Sequence, residues 1–246
     1  MTPFLRLLPF ECSDGPGNMA ADEAMLEHAS EHGVASLRFY TWTEPTLTLG
    51  YFQSSLDREA LPNLDGLPWV RRSTGGAAIL HHRELTYAVA LPPESEWKSG
   101  ESWICRFHRL VMDLLGERSV PARLVACGEE KKLGEVLCFL HQTPGDLVVR
   151  GCKVAGSAQR KLRSALLQHG SLLLKRSEFA PVLPGIEDLA ERQLFTPDRL
   201  AQELAARLAH ETRSALEPGD WSEAELKRIP EIRAEKYASP AWNSKR

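Results

Sequence analysis

Hydrophobic positions along the chain fall into runs whose spacing switches between the helix and the strand period. From Asn18 to about His32 the pattern reads as a helix, with Asn18 as cap, Asp22 and Glu23 suited to its positive end, and Gly33 as the stop. Ser36–Trp42 alternates, with Leu37 and Phe39 on one face, and Thr46–Tyr51 repeats this with Leu47, Leu49 and Tyr51; both predict strands. A short strand at Trp69–Arg72 leads into Ser73-Thr74-Gly75-Gly76, and strands at Ala77–Leu80 and Leu85–Leu91 are joined by a polar turn, His81–Glu84. Trp103, Phe107, Leu110, Val111 and Leu114 then recur at helical spacing. Further strands are expected at Val136–Leu140, Leu147–Arg150, Lys153–Ala155 and Leu166–Leu174.

Composition shifts near Pro181 to Pro184. Beyond it, Thr196-Pro197 opens a helix with proline at its first position and a stripe of Leu200, Leu204 and Leu208. Ser222 to Glu225 is a capping box for a last short helix that should end near Pro230. The expected architecture is α+β, with mixed, mostly antiparallel sheets flanked by helices. Residues 1–180 would form the main domain, and residues 181–246 a small helical segment packed on it.

With 246 residues and 43% hydrophobic content, the chain can bury one sizeable core. Its net charge of -3 lacks the basic footprint of a nucleic-acid binder. No apolar run is long enough for a bilayer, and Met1 to Pro9 lacks a full signal-peptide pattern, so a cytoplasmic location is expected. Cys12, Cys105, Cys127, Cys138 and Cys152 are odd in number and form no CxxC pair, which reads as reduced thiols. The histidines show no metal-binding spacing, and no metal site is expected.

Three segments could carry chemistry. Arg71-Arg72-Ser73-Thr74-Gly75-Gly76-Ala77-Ala78 has almost no side-chain bulk at its end, so a ligand could approach the main chain closely; a tight turn between strands would read the same way, and Walker spacing is absent. Gly151-Cys152-Lys153-Val154-Ala155-Gly156-Ser157-Ala158 sets a lysine in a strand of small residues, where its charge could hold a carbonyl oxygen or activate a thiol; an edge-strand surface lysine is the commoner case. Val136-Leu137-Cys138-Phe139-Leu140 reads most simply as a core strand with a small buried cysteine. Strand parity adds that Cys152 and Lys153 face opposite sides. If Lys153 serves a site, Cys152 is the poorer nucleophile, and Cys138 is free to serve from a neighbouring strand.

The chain resembles the lipoate–protein ligase and octanoyltransferase family. Asn18-Met19-Ala20-Ala21-Asp22-Glu23-Ala24 is similar to the family's first helix, and Pro45 to Gln53 to its second strand and following turn. Arg71 to Gly76, with His81 and Glu84-Leu85-Thr86-Tyr87, resembles the acyl-binding loop and hairpin. Lys153 to Arg160 and Leu167-Gln168-His169-Gly170-Ser171 resemble the active-site lysine strand and its partner, and Lys236-Tyr237 and Trp242-Asn243 the closing motif. Ala77 in place of a third glycine, Glu-Leu-Thr-Tyr in the hairpin, and Cys138-Phe139 ahead of Lys153 are similar to the cysteine-dependent octanoyltransferase branch.

That resemblance implies a biotin/lipoyl ligase-like fold and transfer of octanoyl from acyl carrier protein to a lysine of a lipoyl domain, through a thioester on Cys138 assisted by Lys153. The acceptor would be the glycine cleavage H protein or a 2-oxoacid dehydrogenase E2. The acyl site would comprise Arg72, Ser73, Thr74, Gly75, Gly76, Ala77, His81, Gly156, Ser157, Ala158 and His169. His81 or Lys153 would help deprotonate the acceptor amine. No cofactor is implied for transfer, since octanoyl arrives on the phosphopantetheine of the carrier, and the enzyme would be a monomer. Within the same family, the alternatives are an ATP- and magnesium-dependent lipoate or octanoate ligase and an amidotransferase moving octanoyl between lipoyl domains. A non-catalytic acyl binder and, more remotely, biotin transfer complete the set.

Overall fold

A computed structural model describes residues 3–93, 100–134 and 136–246. Its centre is a nine-stranded mixed sheet. Strands β1 (Phe4–Leu7), β2 (Glu11–Ser13) and β3 (Ser36–Trp42) run parallel to one another. From β3 the order continues antiparallel through β7 (Glu84–Leu91), β13 (Ala165–Leu173), β12 (Cys152–Leu162), β11 (Leu147–Val149) and β8 (Ala122–Leu124). At the other edge, β14 (Ala215–Pro218) lies parallel to β1. A second sheet holds β4 (Thr46–Leu49) between β5 (Trp69–Arg71) and β6 (Ile79–His81). The two-residue strands β9 (Lys131–Lys132) and β10 (His141–Gln142) form a small hairpin.

Helices cover both faces of the large sheet, and strand alternation decides which residues meet them. Leu37, Phe39, Leu85, Tyr87 and Val89 face α2 (Trp103–Glu117) and α4 (Pro197–Thr212) in one apolar core, where the Tyr87 and Phe107 rings stack at 3.6 Å. Leu200, Leu204 and Leu208 of the expected stripe lie in this core. On the opposite face, Tyr40, Trp42, Ala88, Ala90, Ala165 and Leu167 pack with Met19, Ala20, Ala24 and Met25 of α1 (Gly15–His32), whose alanines allow close approach. The short α3 (Ile186–Ala190) buries Ile186 in the first core, while α5 (Glu223–Ile232) and α6 (Pro240–Asn243) lie beside α1 and β5 respectively.

Several expectations change. Helix α1 starts at Gly15, capped by the Asp14 carboxylate accepting from Gly17 N at 2.8 Å. Asn18 is inside it, donating to the Ser13 and Thr41 carbonyls, and Asp22 is buried mid-helix rather than near a terminus. Ile79–His81 and Glu84–Leu91 are not a hairpin: the first joins the small sheet through β4 and the second the large sheet, so the turn between them carries the chain from one sheet to the other. Strand β12 is far longer than Lys153–Ala155, because β13 pairs with it residue by residue as far as Leu162. Helix α5 passes through Pro230, where one N–H donor is missing, and continues as a π-helical turn, Arg233–Tyr237.

The largest departure is at Val136–Leu140. This segment lies in the loop of the β9–β10 hairpin, so the chain must reverse there, closed by Leu133 N donating to Leu140 O at 2.8 Å. Only Leu137 makes a bridge, parallel to Ala78, and Cys138–Leu140 then turns as a 3-10 helix.

Candidate functional site

The loop latches onto the glycine-rich segment by two backbone hydrogen bonds, Ala78 N to Val136 O at 2.9 Å and Cys138 N to Ala78 O at 2.7 Å. Cys138 Sγ is thereby held at a cavity between the two sheets, lined also by Arg72, Gly75, Gly76, His81, Gly156, Ser157, Ala158 and His169. Met19, Tyr40, Ile79, Thr86, Phe139, Gly170 and Ser171 complete the wall. Ser73, Thr74, Ala77 and Lys153 do not line it, yet each touches a neighbouring element of the site.

Lys153 is 5% exposed. Its Nζ lies 2.7 Å from Asp146 Oδ2, 3.1 Å from the His141 carbonyl, 3.4 Å from the Cys138 carbonyl and 3.6 Å from Cys138 Sγ. Gly156 makes room for it: a Cβ there would sit 2.6 Å from Lys153 Cε. Asp146 is fixed in turn by the Thr143 amide and hydroxyl at 2.8 and 3.0 Å. Sequence reading missed Asp146; the one signal is a carboxylate directly after the Pro144-Gly145 turn and before a strand. Cys152 is partly exposed and outside the cavity wall.

Arg72 organises the glycine loop. Its guanidinium donates to the Gly75 and Ala77 carbonyls at 3.1 and 3.0 Å, and to the Thr48 hydroxyl and carbonyl at 2.6 and 3.1 Å. Burial draws it down to about 10, against the pull of the nearby Cys138 sulfur and Tyr40. Arg72 is therefore spent largely on scaffolding the loop, with Ala77 contributing a carbonyl. Close packing also fixes Gly50, where a Cβ would fall 1.8 Å from the Gly76 oxygen.

Two histidines lie on the cavity wall, each held by a carboxylate. His81 Nδ1 is 2.5 Å from Glu84 Oε1, and its Nε2 is 2.8 Å from the Thr48 hydroxyl. Glu84 Oε1 also accepts from Thr86 and Ser171 at 2.6 and 3.0 Å, and Trp42 Nε1 donates to Thr86 at 2.9 Å. Burial lowers the His81 pKa. His169 Nδ1 is 2.7 Å from Asp22 Oδ2, which also accepts from Tyr40, and its Nε2 is 2.7 Å from the Thr74 hydroxyl. Both rings thus have both nitrogens engaged, so neither offers a free nitrogen to a substrate amine.

A further buried chain runs behind β12. Gln168 Nε2 donates to Tyr87 Oη at 2.6 Å, Tyr87 Oη lies 2.7 Å from Ser157 Oγ, and Ser157 Oγ lies 2.8 Å from His108 Nε2. His108 Nδ1 is 2.6 Å from the Gly145 carbonyl, which can only accept. The proton is therefore on Nδ1, Ser157 donates to Nε2, and Tyr87 donates to Ser157. The chain ends beside Asp146, the partner of Lys153.

Burial pulls His108 down to about 4. The folded state keeps it neutral while the unfolded chain protonates it below about 6.5, so the unfolded state binds more protons between those values and stability falls as pH drops through that window. His108 should contribute about 3 kcal/mol to the loss. Urea unfolding at pH 7, 6, 5 and 4 checks this: His108→Gln should be less stable at pH 7 but flatter with pH, and parallel profiles would refute the assignment.

The sequence matches the family model described as the lipoyl protein ligase A/B catalytic domain over residues 14–191, more than half of the chain. An octanoyltransferase LipM from Lysinibacillus sphaericus (strain C3-41) is 31% identical over an alignment of 281 positions that covers 100% of both chains. One from Carboxydothermus hydrogenoformans is 40% identical over 172 positions, 67% of this chain and 63% of that protein. Among solved structures, a lipoate-protein ligase A bound with ATP superposes with a TM-score of 0.73 at 20% identity, covering 99% of each chain. A bipartite lipoate protein ligase from Thermoplasma acidophilum gives 0.71 at 20%, covering 99% of this chain and 97% of that one. The structural matches share the α+β fold of mostly antiparallel sheets flanked by helices, and the sequence matches extend the kinship beyond shape. The chain belongs to the lipoyl protein ligase A/B catalytic-domain family.

Proposed function

We propose that this protein is an octanoyltransferase that accepts octanoyl from acyl carrier protein onto Cys138 and passes it to a lysine of a lipoyl domain. The observation that carries the reading is a cysteine sulfur 3.6 Å from a buried ammonium at the edge of a cavity with small-residue walls. In the first step, Cys138 sulfur in its thiolate form attacks the thioester carbonyl. A new S–C bond forms, and the carrier's phosphopantetheine leaves as a thiolate that takes up a proton. Lys153 stabilises the negative charge first on the sulfur and then on the oxygen of the tetrahedral adduct. In the second step the acceptor amine, having given one proton to solvent, attacks the acyl-enzyme; the N–C bond forms, the S–C bond breaks, and the second amine proton leaves with the Cys138 sulfur, restoring the thiol. Exchange of one thioester for another is near neutral in energy and amide formation is downhill, so ATP has no role.

The relatives named as octanoyltransferases support octanoyl transfer as the reaction. The cavity holds about 470 Å³ of empty space, part of it open to solvent, and small residues form much of its wall. The unbranched Met19 on the wall can fit its shape to an acyl chain. Each methylene buried would contribute about 0.8 kcal/mol.

Parallel assays with octanoyl-acyl carrier protein, with an octanoylated lipoyl domain, and with octanoate plus ATP and magnesium test this reading. The first should support transfer to a fresh lipoyl domain without nucleotide. Transfer that requires ATP would replace the proposal with a ligase, and use of the lipoyl-domain donor alone with an amidotransferase.

A further inference from the structure

The rim of the cavity carries charge and apolar surface that the chemistry inside does not use. Tyr51 N donates to the Thr74 carbonyl at 2.8 Å, laying the segment after β4 across the glycine loop. Phe52 follows, 72% exposed, with its ring edge 3.9 Å from where a Gly75 Cβ would stand, and Leu56 nearby in sequence is 66% exposed. Cations surround this patch. Lys245 Nζ sits 3.7 Å from the Tyr51 ring centre and 3.5 Å from that of Trp242, and the Arg246 guanidinium lies 5.3 Å from both Tyr51 and Phe52. Arg160 reaches the same loop from the other side, donating to the Ser73 carbonyl at 2.9 Å.

Two carboxylates near the rim already have partners. Glu23 pairs with Lys236, and Asp57 approaches Gln53 at 3.4 Å. Among the described residues, no Asp or Glu side chain forms an ion pair with Arg160, Lys245 or Arg246. Lys245, with its ammonium against the Tyr51 ring, holds the Tyr51 phenol below its ordinary value, which reports a positive local potential. A chain with net charge -3 thus concentrates unpaired positive charge around exposed aromatic surface at the mouth of its site.

We infer that this rim docks an acidic face of the acyl carrier protein that delivers octanoyl, with Phe52 as the apolar anchor and Lys245, Arg246 and Arg160 as the charged frame. The inference rests on the transfer proposed above. Cations on a rim act chiefly on encounter and are screened by salt, while an exposed aromatic supplies contact area. Docking here sets the carrier beside Gly75, so that only its flexible arm has to enter.

The test compares Lys245→Glu/Arg246→Glu and Phe52→Ser with wild type, reading the rate of Cys138 acylation by intact mass. Two donors are used: octanoyl-acyl carrier protein and octanoyl-pantetheine, which offers the same thioester without a protein. With the carrier, kcat/KM should fall about tenfold or more in the charge-reversed variant and lose most of its salt dependence. With octanoyl-pantetheine, both variants should stay within about twofold of wild type. Equal losses with both donors, an unchanged rate with the carrier, or slowing confined to the later transfer to the lipoyl domain would each overturn the inference. Wild-type protein that neither donor acylates would instead sink the transfer reading beneath it.

Discussion

A Cys138→Ser variant should fold normally and lose transfer by a factor on the order of 1,000 or more, because an alcohol with no adjacent base is a far weaker nucleophile than a thiolate. The substitution is close to isosteric, and the hydrogen bond that places the residue runs from its backbone amide to the Ala78 carbonyl, which serine retains. Neither nitrogen of His81 or His169 is open to activate the hydroxyl. The check is intact mass after mixing with octanoyl-acyl carrier protein: wild type should gain one octanoyl group and the variant none. The cysteines at 12, 105, 127 and 152 remain in the variant, and none lines the cavity. They therefore serve as an internal control for adventitious acylation. Normal turnover by the serine variant would remove the covalent route.

Replacing Lys153 with methionine should slow acylation by about 100- to 1,000-fold, the range expected when a single buried stabiliser of a developing oxyanion is deleted. The variant keeps most of the apolar stem, so the strand packing survives. What it loses is the charge beside the Cys138 sulfur and one side of the buried pair with Asp146. Removing one partner of such a pair costs about 3 to 5 kcal/mol because the other is left uncompensated. Asp146 retains two hydrogen bonds from Thr143, whereas the ammonium in an Asp146→Asn variant would keep carbonyl acceptors and lose its carboxylate. Both single variants should lose stability, and the double variant should be less destabilised than the sum of the singles. Single-turnover acylation below the melting temperature of each variant separates chemistry from folding. A Lys153→Met enzyme that acylates at the wild-type rate would show that the ammonium holds the fold and not the reaction.

Much of the architecture was legible because its strands alternate cleanly. Leu37 and Phe39 against Tyr40 and Trp42, or Leu85 and Tyr87 against Ala88 and Ala90, separate the two faces of the large sheet as period-two patterning requires. The glycine loop and the lysine strand were visible as runs of small residues. Three things were hidden for physical reasons. Val136–Leu140 has a strand's composition, but its place in a hairpin loop depends on pairing between Lys131–Lys132 and His141–Gln142, which are too short and polar to register as strands. Asp22 looked like a dipole partner because a helix start at Asn18 would place it in the first turn; the true cap, Asp14, lies four residues earlier and turns Asp22 toward Arg38, Tyr40 and His169. His81–Glu84 looked like a hairpin turn because sequence spacing cannot tell whether adjacent strands join one sheet or two.

The amide bridge between the hairpin loop and Ala78 ties two parts of the machine into one moving piece. The sulfur has no strand beneath it: it sits on a 3-10 turn and takes its position from the backbone bonds to Ala78. The ammonium is set instead by the long strand β12. Sulfur and ammonium thus take their places from different elements, the first from the latched loop and the second from β12, and the 3.6 Å between them measures how those two elements seat against each other.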